Sequence, residues 1–219
     1  MDLALDNLCL QRGSTLALDG LKVEFKAGSR AVLWGAAGCG KTSLLKVLAG
    51  LLRPTSGTVR WADGDVWSLS VAERRRRQAA LTMIFQTDAL FDSMSVLDNV
   101  LLPLAQREVP RAEARARAEE ALRRVHLTGH ADKAPADLSG GMRKRAGIAR
   151  ALASGPEVIL ADDPFAGLDP ETEKQIAGLL LEVSEGKTLI VALPDPIDAL
   201  PIARTLLLEQ GRLATRAAA

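Results

Sequence analysis

One loop constrains this chain more than any other feature. Gly35-Ala36-Ala37-Gly38-Cys39-Gly40-Lys41-Thr42 lies between the apolar run Ala31-Val32-Leu33-Trp34 and the helical pattern Leu44, Leu45, Val47, Leu48 and Leu51. It meets every fixed position of G-x-x-x-x-G-K-[ST], in the strand–loop–helix setting that gives that motif its mechanism. Glycines let successive backbone N–H groups point at one anion, and the helix N-terminus behind them favours negative charge. Lys41 is placed to reach the β and γ phosphate oxygens of a nucleotide, and the Thr42 hydroxyl to hold Mg²⁺. A glycine-rich turn with a neighbouring lysine is the plainer reading, but it leaves the strand before and the helix after unexplained.

The rest of the chain is patterned to suit such a loop. Residues 3–10, 20–26 and 30–34 read as strands, and Pro54-Thr55-Ser56-Gly57 turns into a strand over 57–62. An apolar strand over 80–85 ends at Gln86. Helical patterning covers about 95–105 and 110–126, with Ala114, Ala118, Leu122 and Val125 on one stripe and Pro110 suited to a first turn. After Pro135 the alternation of strand and helix resumes. Ser139 caps a helix over 140–153, and a strand over 157–162 follows. Asp169-Pro170 starts a helix carrying Ile176, Leu179, Leu180 and Val183, and strands over 188–193 and 204–209 close the series. The class is α/β, with a mainly parallel sheet covered on both faces and a helical stretch over 87–135 inserted into it.

Two further positions carry chemistry. Asp162 ends the buried apolar strand Val158-Ile159-Leu160-Ala161, where a lone carboxylate is costly and a cation such as Mg²⁺ relieves the cost. Leu138-Ser139-Gly140-Gly141 opens a helix with small residues, a hydroxyl and free N–H groups, which makes a second anion site. The two anion sites serve either one nucleotide or two different chains; the pattern is compatible with both. Lysine and arginine total 28 against 27 acidic residues, so there is no electrostatic footprint for nucleic acid. No apolar run reaches the ~20 residues that span a bilayer, and Asp2 and Asp6 interrupt any secretory signal pattern. Cys9 and Cys39 form neither a metal spacing nor a disulfide framework, as in a reducing compartment. The only low-complexity stretch is an alanine-rich tail at 214–219.

Taken in order, these residues resemble the nucleotide-binding subunits of ATP-binding-cassette (ABC) transporters: phosphate loop, Gln86, Leu138-Ser139-Gly140-Gly141-Met142, Asp162-Asp163, Gly167-Leu168-Asp169 and a final strand. The resemblance covers the whole chain. It implies a P-loop NTPase fold with an N-terminal antiparallel β-subdomain, a catalytic core over 1–86 and 136–219, and a helical subdomain over 87–135. It implies ATP and Mg²⁺ as ligands. Arg12, Gly35, Ala36, Ala37, Gly38, Cys39, Gly40, Lys41, Thr42 and Ser43 would hold nucleotide, with Ser139, Gly140 and Gly141 closing on it from a second ATP-binding subunit. Thr42, Gln86 and Asp162 would serve Mg²⁺, and Lys41, Gln86 and Asp163 catalysis. Asp169 would communicate across the dimer, and a transmembrane permease subunit would be the partner at the cytoplasmic face of the inner membrane.

The stretch Phe85 to Val100, Met142 in place of the usual Gln, and Arg12-Gly13 in place of a base-stacking aromatic resemble the ATPases of Mla-type phospholipid transporters. Those work with a lipid-binding mammalian-cell-entry protein. A guanidinium can stack on a base in place of a ring.

Two positions depart from the family pattern. Asp163 stands where a catalytic Glu is expected, which sets its carboxylate back by one methylene from the attacking water. Pro194 stands where a His is expected and brings no side-chain donor to the γ-phosphate. Firm ATP binding with slow hydrolysis is the expectation. Two alternatives stay open: compensation by Asp195 or a partner, and pairing with a different ATPase whose site this chain completes. A non-hydrolysing regulatory protein is a third. The run Arg74–Arg77 reads as a solvated helical face or a contact with acidic headgroups. Alkylation of Cys39 is expected to block ATP binding.

Overall fold

The structure, a computed structural model, describes residues 1–214; the tail beyond Ala214 lies outside the described residues. The elements run β1 (Leu3–Arg12), β2 (Thr15–Phe25), β3 (Arg30–Trp34), α1 (Lys41–Leu48), β4 (Ser56–Trp61), β5 (Gly64–Asp65), α2 (Val71–Gln78) and β6 (Leu81–Ile84). They continue with α3 (Val96–Ala105), α4 (Arg111–Arg124), α5 (Gly140–Ala153), β7 (Val158–Asp162), α6 (Pro170–Val183), β8 (Thr188–Leu193), β9 (Thr205–Glu209) and β10 (Arg212–Leu213). These form two compact units. One holds 1–83, 157–163 and 186–214; the other holds 84–156 and 164–185.

The first unit is built on two sheets. β1 and β2 pair antiparallel, from Leu3 opposite Phe25 to Arg12 opposite Thr15, and β4 adds to the other edge of β1, giving the order β2-β1-β4-β5. Leu3, Leu5, Leu8 and Leu10 all face inward. The second sheet has the order β10-β9-β3-β8-β7-β6, with β3 parallel to both β8 and β9, and β7 parallel to β8. Every residue of β7 and β8 is buried, the continuous apolar pattern of parallel strands covered on both faces. This is the P-loop α/β fold with its antiparallel N-terminal sheet, as expected.

The boundaries differ in instructive places. The apolar pattern predicted a helix reaching Leu51, but α1 ends at Leu48 because Gly50 adopts φ 68°, and the Leu51 N–H folds back to the Lys46 carbonyl at 2.8 Å. Leu51 is left exposed. β2 begins at Thr15, earlier than the predicted residue 20, because its first residues are held by β1 rather than by their own alternation. The arginine run lies on α2, whose start is capped by Ser70 Oγ accepting the Glu73 N–H at 3.2 Å.

In the second unit, α4 buries Ala114, Ala118, Ala121 and Leu122, matching the predicted stripe. Pro110 sits just before the helix, at its cap. Ser95 caps α3, its Oγ accepting the Asp98 N–H at 3.0 Å. Asn99, fully buried on α3, pins the preceding loop: Oδ1 accepts the Phe91 N–H at 2.7 Å, and Nδ2 donates to the carbonyls of Phe91 (3.1 Å) and Ser95 (2.9 Å). Among the described residues no helix is long and apolar enough to cross a membrane.

Candidate functional site

Strand register assembles the site. Trp34 lies opposite Leu193, and Asp162 opposite Ala192, so the carboxyl ends of β3, β8 and β7 finish level. Ligands of open parallel sheets bind beyond such ends. The residues that follow, Gly35, Pro194 and Asp163, therefore meet at one crest. The Gly35 N–H donates to the Pro194 carbonyl at 3.2 Å and the Asp163 N–H to the Ala192 carbonyl at 2.9 Å.

The loop leaves β3 through Gly35, where a Cβ would stand 2.2 Å from the Leu208 carbonyl oxygen, so no other residue fits without moving β9. It closes at Gly40, the cap of α1. The Gly211 N–H donates to the Cys39 carbonyl at 3.0 Å, and the Asp19 N–H to the Gly211 carbonyl at 2.9 Å, so the turn after β9 braces the loop from behind. That bracing was not visible in the sequence; a Gln-Gly turn between two short strands was its only signal. Lys41 donates to the carbonyls of Gly35 and Ala36 (3.0 Å to the latter), which lays its ammonium over the loop.

Thr42 and Asp162 come together across the fold. Thr42 Oγ1 donates to Asp162 Oδ1 at 3.0 Å, although the two are far apart in sequence. Asp162 is buried, as a strand-end carboxylate with a dedicated partner should be. A hydroxyl and a buried carboxylate converging beside a phosphate loop form an all-oxygen donor set that fits Mg²⁺. Thr42 and Asp162 are the residues that would hold it. When bound, such an ion neutralises charge on the β and γ phosphates.

Gly38, Cys39, Gly40, Lys41, Thr42 and Ser43 line one open cavity of ≈ 610 Å³ together with Arg12, Leu16 and Ala17. Ala36 and Ala37 line a neighbouring one with Trp34, Pro194 and Asp195. Arg12 thus reaches the same cavity as Lys41, with Leu16 beside it as an apolar neighbour. Cys39 is buried, its Sγ 3.8 Å from Lys41 Nζ and its N–H given to the Ala36 carbonyl at 3.2 Å. It lies inside the loop beside Lys41, not on an exposed helix terminus. Asp163 takes φ 44°, a left-handed conformation.

The remaining predicted residues belong to the second unit. Ser139 Oγ accepts the Met142 N–H at 3.3 Å and so caps α5, with Gly140 and Gly141 in the first turn. A Cβ on Gly141 would stand 2.8 Å from Thr172 Cγ2 of α6. Asp169 caps α6: Oδ1 accepts the N–H groups of Glu171 (3.1 Å) and Thr172 (3.0 Å), and Oδ2 the Thr172 hydroxyl (2.6 Å). That hydroxyl and the Thr172 amide hold the Asp169 carboxyl below the ordinary carboxylate range. Gln86 begins a segment held by α5: its carbonyl accepts from the Lys144 ammonium.

The family model described as ABC transporter matches residues 18–166, which include the phosphate loop, Gln86, the Ser139 turn and the Asp162 strand. The chain belongs to the ABC transporter family. It is 38% identical over 191 residues to an uncharacterised ABC transporter ATP-binding protein of Mycobacterium bovis, covering 87% of this chain and 58% of that protein. It is 37% identical over 211 residues to an Fe(3+) ions import ATP-binding protein of Rhizobium meliloti, covering 95% of this chain and 58% of that one. The chain therefore spans 58% of the length of each of these curated relatives. Among solved structures it is similar to the ATP-binding cassette MJ0796, a dimer in a post-hydrolysis state bound to ADP and Pi. There the TM-score is 0.85 with 31% identity, over 96% of each chain.

Proposed function

We propose that this ABC family member is the ATP-binding motor subunit of a transporter. It binds Mg-ATP between two such subunits, hydrolyses it slowly at its own site, and drives a transmembrane permease at the cytoplasmic face of the inner membrane. The observation that carries the reading is the meeting of Thr42 with buried Asp162 at 3.0 Å beside Lys41 and the phosphate loop. A metal-dependent phosphoryl site needs these groups in one place. Likeness to a dimeric cassette bound to ADP and Pi supports a two-subunit arrangement. In this reading Ser139, Gly140 and Gly141 act on the nucleotide of the second subunit, and the Gln86 side chain serves the metal and the attacking water.

For the cargo we infer phospholipid moved within the cell envelope, with a lipid-binding mammalian-cell-entry protein as a further partner. The stretch Phe85–Val100, Met142 and the Arg12-Gly13 pair support it. A second reading, import of a small solute, is favoured by the relative named for Fe(3+) import. One preparation separates them: the tagged chain is purified from its host in mild detergent, and its partners and bound lipids are identified by native mass. Copurified phospholipid with a lipid-binding partner supports the first reading; a permease with a solute-binding protein supports the second. Mg-ATP turnover abolished by Lys41→Ala supports the motor itself, and nucleotide binding without turnover in the intact assembly points to a regulatory protein.

A further inference from the structure

The segment after β6, Gln86 to Ala89, is gripped by one face of α5. Lys144 is buried; its ammonium donates to the Gln86 carbonyl and lies 3.8 Å from Asp88 Oδ1. Arg143 Nε donates to Asp88 Oδ2 at 3.2 Å while its Nη1 reaches the Leu138 carbonyl at 2.9 Å. Two turns on, Arg150 donates to the carbonyls of Ala89 and Asp88, the latter at 3.2 Å. Between them Gly147 lets the segment lie close, since a Cβ there would stand only 3.3 Å from the Asp88 carbonyl oxygen. Positions 143, 147 and 150 share a helical face, and 144 borders it. A solvated basic face does not bury an ammonium. Well-packed apolar residues of the same volume generally stabilise a fold as well as a buried ion pair does. What the charged arrangement adds is a fixed register between two pieces of backbone.

We propose that Lys144, with Arg143 and Arg150, is a positioning residue that locks the Gln86 segment to the Leu138–Met142 turn, so that Gln86 and Ser139 move as one body. Asp88 is the hinge pin: Lys144 and Arg143 both hold its carboxylate, and Arg143 also holds the Leu138 carbonyl, next to Ser139. A change felt at Gln86 is thereby delivered to the turn that serves the second subunit. This rests on the motor reading above for the roles of Gln86 and Ser139, but the lock itself does not.

The test has two arms on the full chain. Hydrogen exchange compares wild type with Lys144→Met, Lys144→Arg and Asp88→Asn. In Lys144→Met, exchange over 84–91 and 138–142 should rise by about tenfold or more while the β7 and β8 peptides stay protected, and Lys144→Arg should restore it. Asp88→Asn gives the same pattern more weakly and carries the test if Lys144→Met does not fold. In steady-state turnover, Lys144→Met should lower kcat by roughly tenfold with KM for ATP within about twofold, and should add nothing to Gln86→Ala. Unchanged exchange over 84–91 overturns the lock. Losses that multiply with Gln86→Ala overturn the positioning role. If wild type shows no turnover that Lys41→Ala removes, the motor reading has failed, and the exchange arm still decides the lock.

Discussion

Asp163 and Pro194 sit at the crest where β7 and β8 end, and in the motor reading each would change what the site can do. Asp163 follows the metal-side Asp162 with φ 44°, a region that aspartate tolerates better than most side chains because its short carboxylate bonds locally. In the motor reading, the same shortness would hold it back from an attacking water that a glutamate would reach. Lengthening it recovers reach at some cost in backbone strain. Asp163→Glu is therefore expected to raise Mg-ATP turnover by on the order of tenfold, and adding Pro194→His to raise it further, by less than the product of the single effects. A fall in rate on Asp163→Glu, measured under saturating Mg-ATP, would show that this backbone already aims Asp163 correctly. Thr42 tests the metal side. Thr42→Val keeps shape but removes the donor to buried Asp162 at 3.0 Å. It should cost about 1.5–3 kcal/mol of stability by denaturant titration, the range for a hydrogen bond to a charged group. Titration of nucleotide against Mg²⁺ should also show the metal no longer improving affinity.

At the scale of elements, most of the fold was legible because β7 and β8 bury both faces, β1 and β2 bury alternate residues, and α4 and α6 bury one face. β7, β8 and the α4 stripe announce themselves by pattern alone, and Ser139 and Asp169 cap the helices that their sequences open. What stayed hidden depends on partners distant in sequence. The early start of β2 is set by pairing with β1, the loop brace by Gly211, and the grip on Gln86 by Lys144, a partner 58 residues away in sequence. Asn99 was equally silent, a single amide in an apolar run whose four-sided bonding appears only when the loop folds over it. The end of α1 is the instructive error: hydrophobic spacing ran on to Leu51, but Gly50 turns left-handed against Trp61. A Cβ at Gly50 would stand 2.6 Å from the indole, and that indole donates Nε1 to the Leu48 carbonyl at 2.8 Å. Gly50→Ala therefore combines strained backbone with overpacking and should destabilise the first unit by roughly 1–3 kcal/mol. Its signature in thermal unfolding is a lowered Tm with altered tryptophan emission before the transition; an unchanged Tm would mean that Trp61 moves aside freely.

For the molecule as a whole, in the motor reading the phosphate loop and the Ser139 turn are two halves of one anion site. The first would supply a lysine, the hydrogen-bonded Thr42–Asp162 pair and curled backbone; the second would supply a hydroxyl and the N-terminus of α5. If the two halves meet on nucleotide held between copies, association depends on ATP and on how long it survives. Slow hydrolysis then means a long-lived closed pair. Sedimentation of the chain with Mg-ATP should show a dimer that ADP does not support, and Asp163→Asn should lengthen its life further by removing the remaining base. Lys41→Ala should abolish the dimer by preventing nucleotide binding. Ser139→Arg separates the two halves, because it leaves the first unit's loop untouched but fills the second with bulk. It should therefore bind Mg-ATP with affinity within about twofold of wild type while failing to dimerise with itself. Mixed with Lys41→Ala it should give at most one kind of closed site per pair, pairing the intact loop of one variant with the intact Ser139 turn of the other. Two tight sites in that mixture, or a Ser139→Arg dimer as stable as wild type, would mean that the Ser139 turn serves no second copy and that the motor works by some other pairing.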